Sequence, residues 1–395
     1  MVGSRSKADR NAEHAGMSQH VNCAVIGAGI MGAAAAYALS SRSARVTLFE
    51  QFPLFHNNGS SHGTTRLFRE AYFEHPDYVP LARRARQQWI KLEKLSGKHI
   101  FHPTSILMAG AEDGPTLSGV LRAARQHNIE LINLNERDRI KNFPWLTLPQ
   151  QATTLIETGA GVLSAQTAHQ ALLSCTQANG AIIAEKTPVL AIEPSLSQLT
   201  VVTDQSRLLF DRVIVTPGAY APKLLPDIGT MVQPVRKTLF WADTEDPTHT
   251  IQSGFLPFCI ETEDQQFFYS IPSVDKDGLK YGQHHDGAVV DDPLDSPEEA
   301  ITTDREEIEN FLKTYTPGLP QAVTKTQSCL YEMSPDGHFI IDHHPKDDRI
   351  TFALGGSGHG FKFAPVIGDA LADLTLKGET LREFDFLKAN RFRST

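Results

Sequence analysis

The first clear pattern is an unbroken apolar run, Cys23-Ala24-Val25-Ile26, followed by glycines at 27, 29 and 32 and an alanine-rich stretch from Ala33 to Leu39. This order predicts a buried strand, a tight turn and a helix. A second short strand, Arg45 to Phe49, ends on an acid, Glu50. The loop from Phe52 to Gly63 is too polar for a core. Helical spacing then returns in Tyr78 to Leu95, with Ala82, Ala85, Trp89, Leu92 and Leu95 on one face. The spacing predicts another helix over Ala165 to Ala178. Short strands follow at Gly180 to Ala184, Val189 to Ile192, Leu199 to Val202 and Arg212 to Val215, the last running into Thr216-Pro217-Gly218-Ala219.

From Gln233 to His284 the period changes to alternation, as in Val235-Lys237-Leu239-Trp241 and Phe267-Tyr269-Ile271, which predicts an antiparallel sheet. Thr303 and Glu306 have the spacing of a capping box for a helix carrying Ile308, Phe311, Leu312 and Tyr315. Strands at Phe339 to Ile341 and Ile350 to Leu354, a glycine-dense loop from Gly355 to Gly360 and a helix near Val366 to Leu376 complete the pattern. Pieces that alternate buried strands with helices thus fall in three stretches, 21–85, 150–230 and 325–395. Antiparallel segments, 86–149 and 231–324, are inserted between them, and 1–20 is expected to be a disordered leader with Met17 as a candidate start.

Composition narrows the classes. A chain of 395 residues favours two domains. A net charge of −9 and no basic run interleaved with aromatics argue against nucleic acid as a partner. No apolar run is long enough to span a bilayer. The four cysteines, Cys23, Cys175, Cys259 and Cys329, form no CxxC pair, which suits a reducing, cytoplasmic setting. The doublets His284-His285 and His343-His344 lack the accompanying carboxylate or HExxH spacing of a metal site, so no metal is expected.

The chemistry begins at the glycine turn. Backbone N–H groups at a helix start offer themselves to a pyrophosphate, any Cβ at these glycines would obstruct it, and an acid about twenty residues on suits a ribose hydroxyl. Gly27, Gly29, Ile30, Met31, Gly32 and Glu50 are therefore candidate dinucleotide-binding residues. The loop Gly355-Gly356-Ser357-Gly358-His359-Gly360-Phe361-Lys362 reads either as a second nest of N–H groups with a lysine or as a plain strand-to-helix turn.

Three further stretches carry a resemblance: Gly59-Ser60-Ser61-His62-Gly63-Thr64-Thr65-Arg66-Leu67-Phe68-Arg69; Cys329-Leu330-Tyr331 with Phe339-Ile340-Ile341-Asp342; and Ser357 to Phe363. In this order the chain, from about Asn22 to Phe392, resembles the monomeric sarcosine oxidase and N-methyltryptophan oxidase family. Gln233 to Lys237 and Ser334-Pro335-Asp336 lean toward the N-methyltryptophan branch. The resemblance implies an α/β fold, α+β overall. Its Rossmann-like FAD-binding domain is discontinuous, and an antiparallel-sheet substrate domain is inserted into it. It implies FAD held covalently by a thioether at Cys329. The expected reaction oxidises the N–CH bond of an N-methyl or other secondary amino acid to an imine, with dioxygen reduced to hydrogen peroxide. A monomer is expected.

Site residues follow from the same resemblance. Arg69 and Lys362 would hold the substrate carboxylate; the plain alternative for Arg69 is a surface ion pair with Glu70 or Glu74. Lys280 would stand where oxygen reacts, and His62 and Arg66 beside the ring. Tyr331 and His284 are expected in the catalytic set, and Tyr72, Tyr269 and His359 in the substrate pocket. Ser61, Thr65, Gly218, Asp342, Gly356, Gly358 and Gly360 join the cofactor residues. Departures stand at Thr64, where the family commonly has an acid, at Glu70, where it commonly has histidine, and at Phe73, where it commonly has glycine. These bear on substrate identity, which leaves N-methyltryptophan, sarcosine, pipecolate and fructosyl amino acids open. A dehydrogenase with another electron acceptor and a nucleotide-binding module without turnover are the remaining alternatives.

Overall fold

The computed structural model describes residues 20–242, 246–274, 278–285, 287–296 and 300–392. The expected leader, with Met17, lies outside them apart from His20. The opening apolar run forms strand Asn22–Ile26, which pairs in parallel with Arg45–Phe49 on one side and with Arg212–Val215 on the other. Strands Ile182–Ala184 and Asp347–Leu354 extend this sheet in parallel, and Ile340–His344 closes it as an antiparallel edge, giving six strands. A parallel sheet is covered on its faces, and the alanines explain one cover. Helix Ile30–Ser40 packs so closely on helix Ala364–Lys377 that a Cβ at Gly368 would lie 2.5 Å from the carbonyl carbon of Ala34.

The alternating segments build a second, nine-stranded sheet, mostly antiparallel, in which Gln233–Ala242 pairs with both Leu279–Gln283 and Val323–Met333. Its apolar face buries Phe240, Phe258 and Tyr281 against Phe311 and Leu312 of helix Thr302–Tyr315. Among the described residues there are also two smaller three-stranded sheets, one of them joining Thr65–Phe68 to Gly161–Ser164 and Phe101–Pro103.

Several elements run across the segment limits expected from the sequence. Helix Tyr78–Ser96 passes through position 85 without a break. Strand Thr153–Glu157, just after position 150, belongs to the nine-stranded sheet through Ile106–Gly110. Strand Val323–Met333 spans position 325 and belongs to the same sheet. The capping box expected at Thr303 and Glu306 is not the one formed. The helix is capped two residues earlier, at Ile301, and Asp304 accepts the Ile301 N–H at 3.3 Å. Its carboxylate also takes Arg236 at 2.6 Å and Thr238, so a tertiary ion pair sets the start of the helix.

Candidate active site

A cavity of about 720 Å³ is lined at one end by the Gly27 to Met31 turn and Glu50, and at the other by Lys280, Cys329 and Lys362. The two ends are built differently. At the turn, backbone fills the space a side chain would need. A Cβ on Gly27, whose φ is +93°, would lie 2.4 Å from the Thr216 carbonyl oxygen, and one on Gly32 would lie 1.8 Å from that of Gly27. Gly29 caps the helix, and the next N–H, that of Ile30, donates to Ser61 Oγ at 2.9 Å. Glu50 accepts from Ala28 N at 2.8 Å and Phe52 N at 3.0 Å. Burial alone would raise its carboxyl, but His56 and these two N–H groups hold it below the ordinary range, as an acceptor-only carboxylate. Gly218, at φ +57°, also borders the cavity, where Thr216 supports Gly27 from behind.

The far end is built from side chains. Arg69 is only 5 % exposed, and its Nη2 donates to Glu74 Oε1 at 2.6 Å. The surface alternative for Arg69 is therefore half met: its partner is Glu74, but the pair is buried. Tyr72 and Phe73 hold the guanidinium at 4.3 and 4.2 Å from their ring centroids, and Nη1 has no hydrogen-bond partner. Phe73, a departure in sequence, thus braces the arginine, while Glu70 turns to Arg83. Burial would raise Glu74, yet the charges of Arg69, His359 and Lys362 bring it down to about 2.

Lys362 is held by a short relay. His359 Nε2 faces the Gly337 carbonyl at 2.9 Å, so Nε2 carries the proton and Nδ1 accepts from the Tyr72 hydroxyl at 2.7 Å. The same hydroxyl accepts from Lys362 Nζ at 3.2 Å, and the His359 carbonyl does so at 3.1 Å. Burial, and then the Arg69 charge, pull Lys362 down to about 7. His359 is lowered by burial to about 4 and is neutral at physiological pH.

Around Cys329 the walls are cationic. Its strand pairs residue for residue with Gln233–Ala242, so that Cys329 lies opposite Lys237. Burial raises the thiol, while Arg66, Lys280 and Lys237 oppose that shift. Lys280 Nζ donates to the Thr65 carbonyl at 3.2 Å and stands 5.6 Å from the Trp241 ring centroid. Arg66 folds back on its own loop, donating to the carbonyls of Ser60 and His62 at 2.8 and 2.6 Å. His62 is buried with neither ring nitrogen partnered, and burial, with Arg66 and Lys280, lowers it to about 3. Tyr269, Tyr331 and His284 line this end; Gly358 leaves room for Tyr331, whose ring would lie 2.1 Å from a Cβ there. Burial keeps His284 neutral, well below its ordinary range. Gly356 and Gly360 complete this wall.

Four expected site residues do not reach the cavity wall, and one of them is Gly32, which packs against the Gly27 carbonyl behind the turn. Asp342 stands away from the wall, where its carboxylate accepts from His343 N at 2.8 Å and Ala389 N at 3.0 Å, tying down the segment after the last helix. Tyr72 lies behind the wall, under Lys362, and Thr65 acts through its carbonyl alone. Conversely, Glu74 and Glu332 went unrecognised as site residues. Glu332 lines the cavity, accepts from Gly356 N at 3.2 Å through Oε1 and has no partner for Oε2; burial raises it to about 7. No periodicity marks either acid: Glu74 is set by remote His359 and Lys362 as well as by nearby Arg69, and Glu332 by Gly356.

A family model described as FAD dependent oxidoreductase, DAO, matches residues 22–374. The chain belongs to this family. Within the DAO family it is 33% identical over 379 residues to a monomeric sarcosine oxidase of Bacillus sp. (strain NS-129), covering 95% of this chain and 98% of that protein. It is 33% identical over 349 residues to an N-methyl-L-tryptophan oxidase of Yersinia pestis (strain Pestoides F), covering 88% and 93%. Among solved structures, NikD, an amino acid oxidase of nikkomycin biosynthesis, superposes with a TM-score of 0.82 at 20% identity over 94% of this chain and 98% of that one. Amadoriase I of Aspergillus fumigatus gives 0.78 at 19% identity over 95% and 90%. These two likenesses bear on the fold, which is the expected DAO architecture.

The residues present fit FAD. Glycines stand where a pyrophosphate must approach backbone, an ionised acid waits beside the turn, and the side-chain end offers unpartnered buried nitrogens on His62 and Arg69. Among the described residues no helix is long and apolar enough to cross a membrane.

Proposed function

We propose that this DAO-family chain is an oxidase of secondary amino acids, with N-methyltryptophan or sarcosine as the leading substrates and dioxygen as the electron acceptor. The observation that carries this reading is a buried guanidinium with a free edge, Arg69 Nη1, in the cavity that Lys362, Lys280 and Cys329 also line. When bound, FAD supplies the two-electron acceptor for the N–CH bond. The protein's contribution is position and charge.

Arg69 and Lys362 take the substrate carboxylate, Arg69 keeping Glu74 on one edge while the other pairs with the ligand. The Tyr72–His359 relay fixes Lys362 from behind, so that little freedom is lost on binding. The amine must shed a proton before its neighbouring C–H is oxidised, and His284, neutral through burial, offers an acceptor nitrogen for it. Lys280 places a fixed cation where reduced oxygen develops negative charge. Cys329, whose thiol burial raises while the charges of Arg66, Lys280 and Lys237 pull the other way, is the residue that would hold the flavin covalently. We further propose a cytoplasmic monomer.

Acid precipitation of the purified protein tests the cofactor link: the yellow colour stays with the pellet if the thioether exists. A panel of sarcosine, N-methyltryptophan, pipecolate and a fructosyl amino acid, read by peroxide release, tests the chemistry. A yellow protein that releases no peroxide with any of them would overturn the oxidase reading.

A further inference from the structure

The segment that carries Arg69, Tyr72 and Glu74 follows strand Thr65–Phe68 and belongs to no helix or strand. Its backbone N–H groups therefore have no ladder to enter, and buried donors of this kind need partners. Two of them, Glu70 N and Ala71 N, find both in one side chain: Glu157 accepts them at 2.6 Å through Oε1 and at 3.1 Å through Oε2. Glu157 is 0 % exposed and sits at the end of strand Thr153–Glu157, opposite Ile106 and Leu131. A strand end in a paired sheet is a rigid mount, and the clamped N–H groups belong to the two residues directly after Arg69.

We propose that Glu157 is a positioning residue for substrate-carboxylate recognition, its two oxygens holding the backbone beside Arg69 so that the guanidinium presents its free edge to the cavity. This deepens the reading of Arg69 given above and rests on it. Only a carboxylate can serve, because two donors converge on two oxygens. Glutamine would set an NH2 against one of the N–H groups, and a protonated carboxyl would do the same with its hydroxyl.

The clamp therefore depends on ionisation. The ionisable groups facing Glu157 are Arg69 and Glu70 on the clamped segment and Cys259 on strand Phe258–Glu261; its sheet neighbours Ile106 and Leu131 are apolar. Burial raises the carboxyl to about 7 against the pull of the two N–H groups and Arg69. Anion affinity should accordingly fall as pH drops through 7. Other groups at this end do not reproduce that limb: Glu74, His62 and His359 titrate at about 2, 3 and 4. Glu332 shares the range near 7 but has the opposite sign, since its protonation removes a negative charge from the cavity. Lys362 loses its charge above 7 and gives a limb on the basic side.

The test is calorimetric binding of benzoate to the flavin-loaded protein from pH 5.5 to 9, with benzamide as the uncharged probe, in wild type, Glu157→Gln and Arg69→Ala. In Glu157→Gln benzoate should bind about tenfold more weakly at pH 8, the loss of one charged hydrogen bond. Its acidic limb should vanish, the basic limb should remain, and benzamide binding should not change. Equal weakening of both probes would mark general loosening and overturn the proposal, as would wild-type benzoate affinity in Glu157→Gln. Should that variant fail to fold, the wild-type profile decides: an acidic limb near pH 7 supports the clamp, and a flat profile below 7 overturns it. Unchanged benzoate binding in Arg69→Ala would instead remove the carboxylate site, and the proposal with it.

Discussion

The two ends of the cavity contrast in what they are made of. The nucleotide end is backbone: glycines at 27, 29 and 32, a carbonyl from Thr216 and N–H groups already ordered by Glu50 and Ser61. The substrate end is side chain: Arg69 against Glu74, Lys362 on Tyr72, and Cys329 among three cations. A backbone site tolerates almost no added atom, because the main chain cannot move aside. A side-chain site tolerates exchange, and its charges can be retuned by neighbours. The first suits a ligand part that is the same throughout a family, the second a part that differs.

The comparison can be broken most sharply at the glycines. Gly32→Ala sets a Cβ at 1.8 Å from a carbonyl oxygen, and the variant should emerge colourless, without flavin. A fully loaded Gly32→Ala protein would refute the backbone account of this end. At the other end Cys329→Ser should keep its flavin but release it on acid treatment; colour retained in the pellet would remove the thioether.

Lys280→Met comes next. Reoxidation by dioxygen should slow by about a hundredfold or more, the scale of losing one charge-stabilising donor, while anaerobic reduction by substrate changes little. Stopped-flow traces separate the two steps, and an unaltered oxidative phase would exclude the role of Lys280. Arg69→Ala should lower kcat/KM by about a hundredfold, within the roughly 2–5 kcal/mol of truncating one member of a buried charge pair. Its orphaned Glu74 should cost stability as well, measurable in Tm. The smallest effect is pH dependence. Lys362 is charged below about 7, so carboxylate affinity should fall by at most tenfold per pH unit above that value. Lys362→Met should flatten the basic limb; a persistent limb would assign it elsewhere.

How far the sequence could be read follows the same divide. The turn at Gly27 to Gly32 with Glu50 was legible because a close backbone approach demands glycine, and glycine is visible in a single sequence. The parallel and antiparallel sheets were legible from continuous runs against alternation. Illegible features were those decided by contacts between remote segments. Glu74 reads as a surface acid until His359 and Lys362, from the far end of the chain, stand beside it and Arg69, and the Asp342 carboxylate gains its partner only when Ala389 reaches it. Thr303 and Glu306 make a plausible cap, yet the Arg236 ion pair moves the start of the helix to favour Asp304. Glu157 has no local signature at all; its meaning lies 86 residues away at Ala71.

The order of strands in the parallel sheet carries a further consequence, for biosynthesis. Asn22–Ile26 is hydrogen-bonded to Arg212–Val215, which in turn waits for Asp347–Leu354, while the helix behind them packs on Ala165–Ala178 and, last, on Ala364–Lys377. A nascent polypeptide leaving the ribosome thus holds this sheet unfinished until nearly all of it has been translated. Such late, far-separated pairing folds slowly and exposes sticky edges meanwhile. Chaperone demand and the timing of flavin uptake should both be set by the arrival of those final elements.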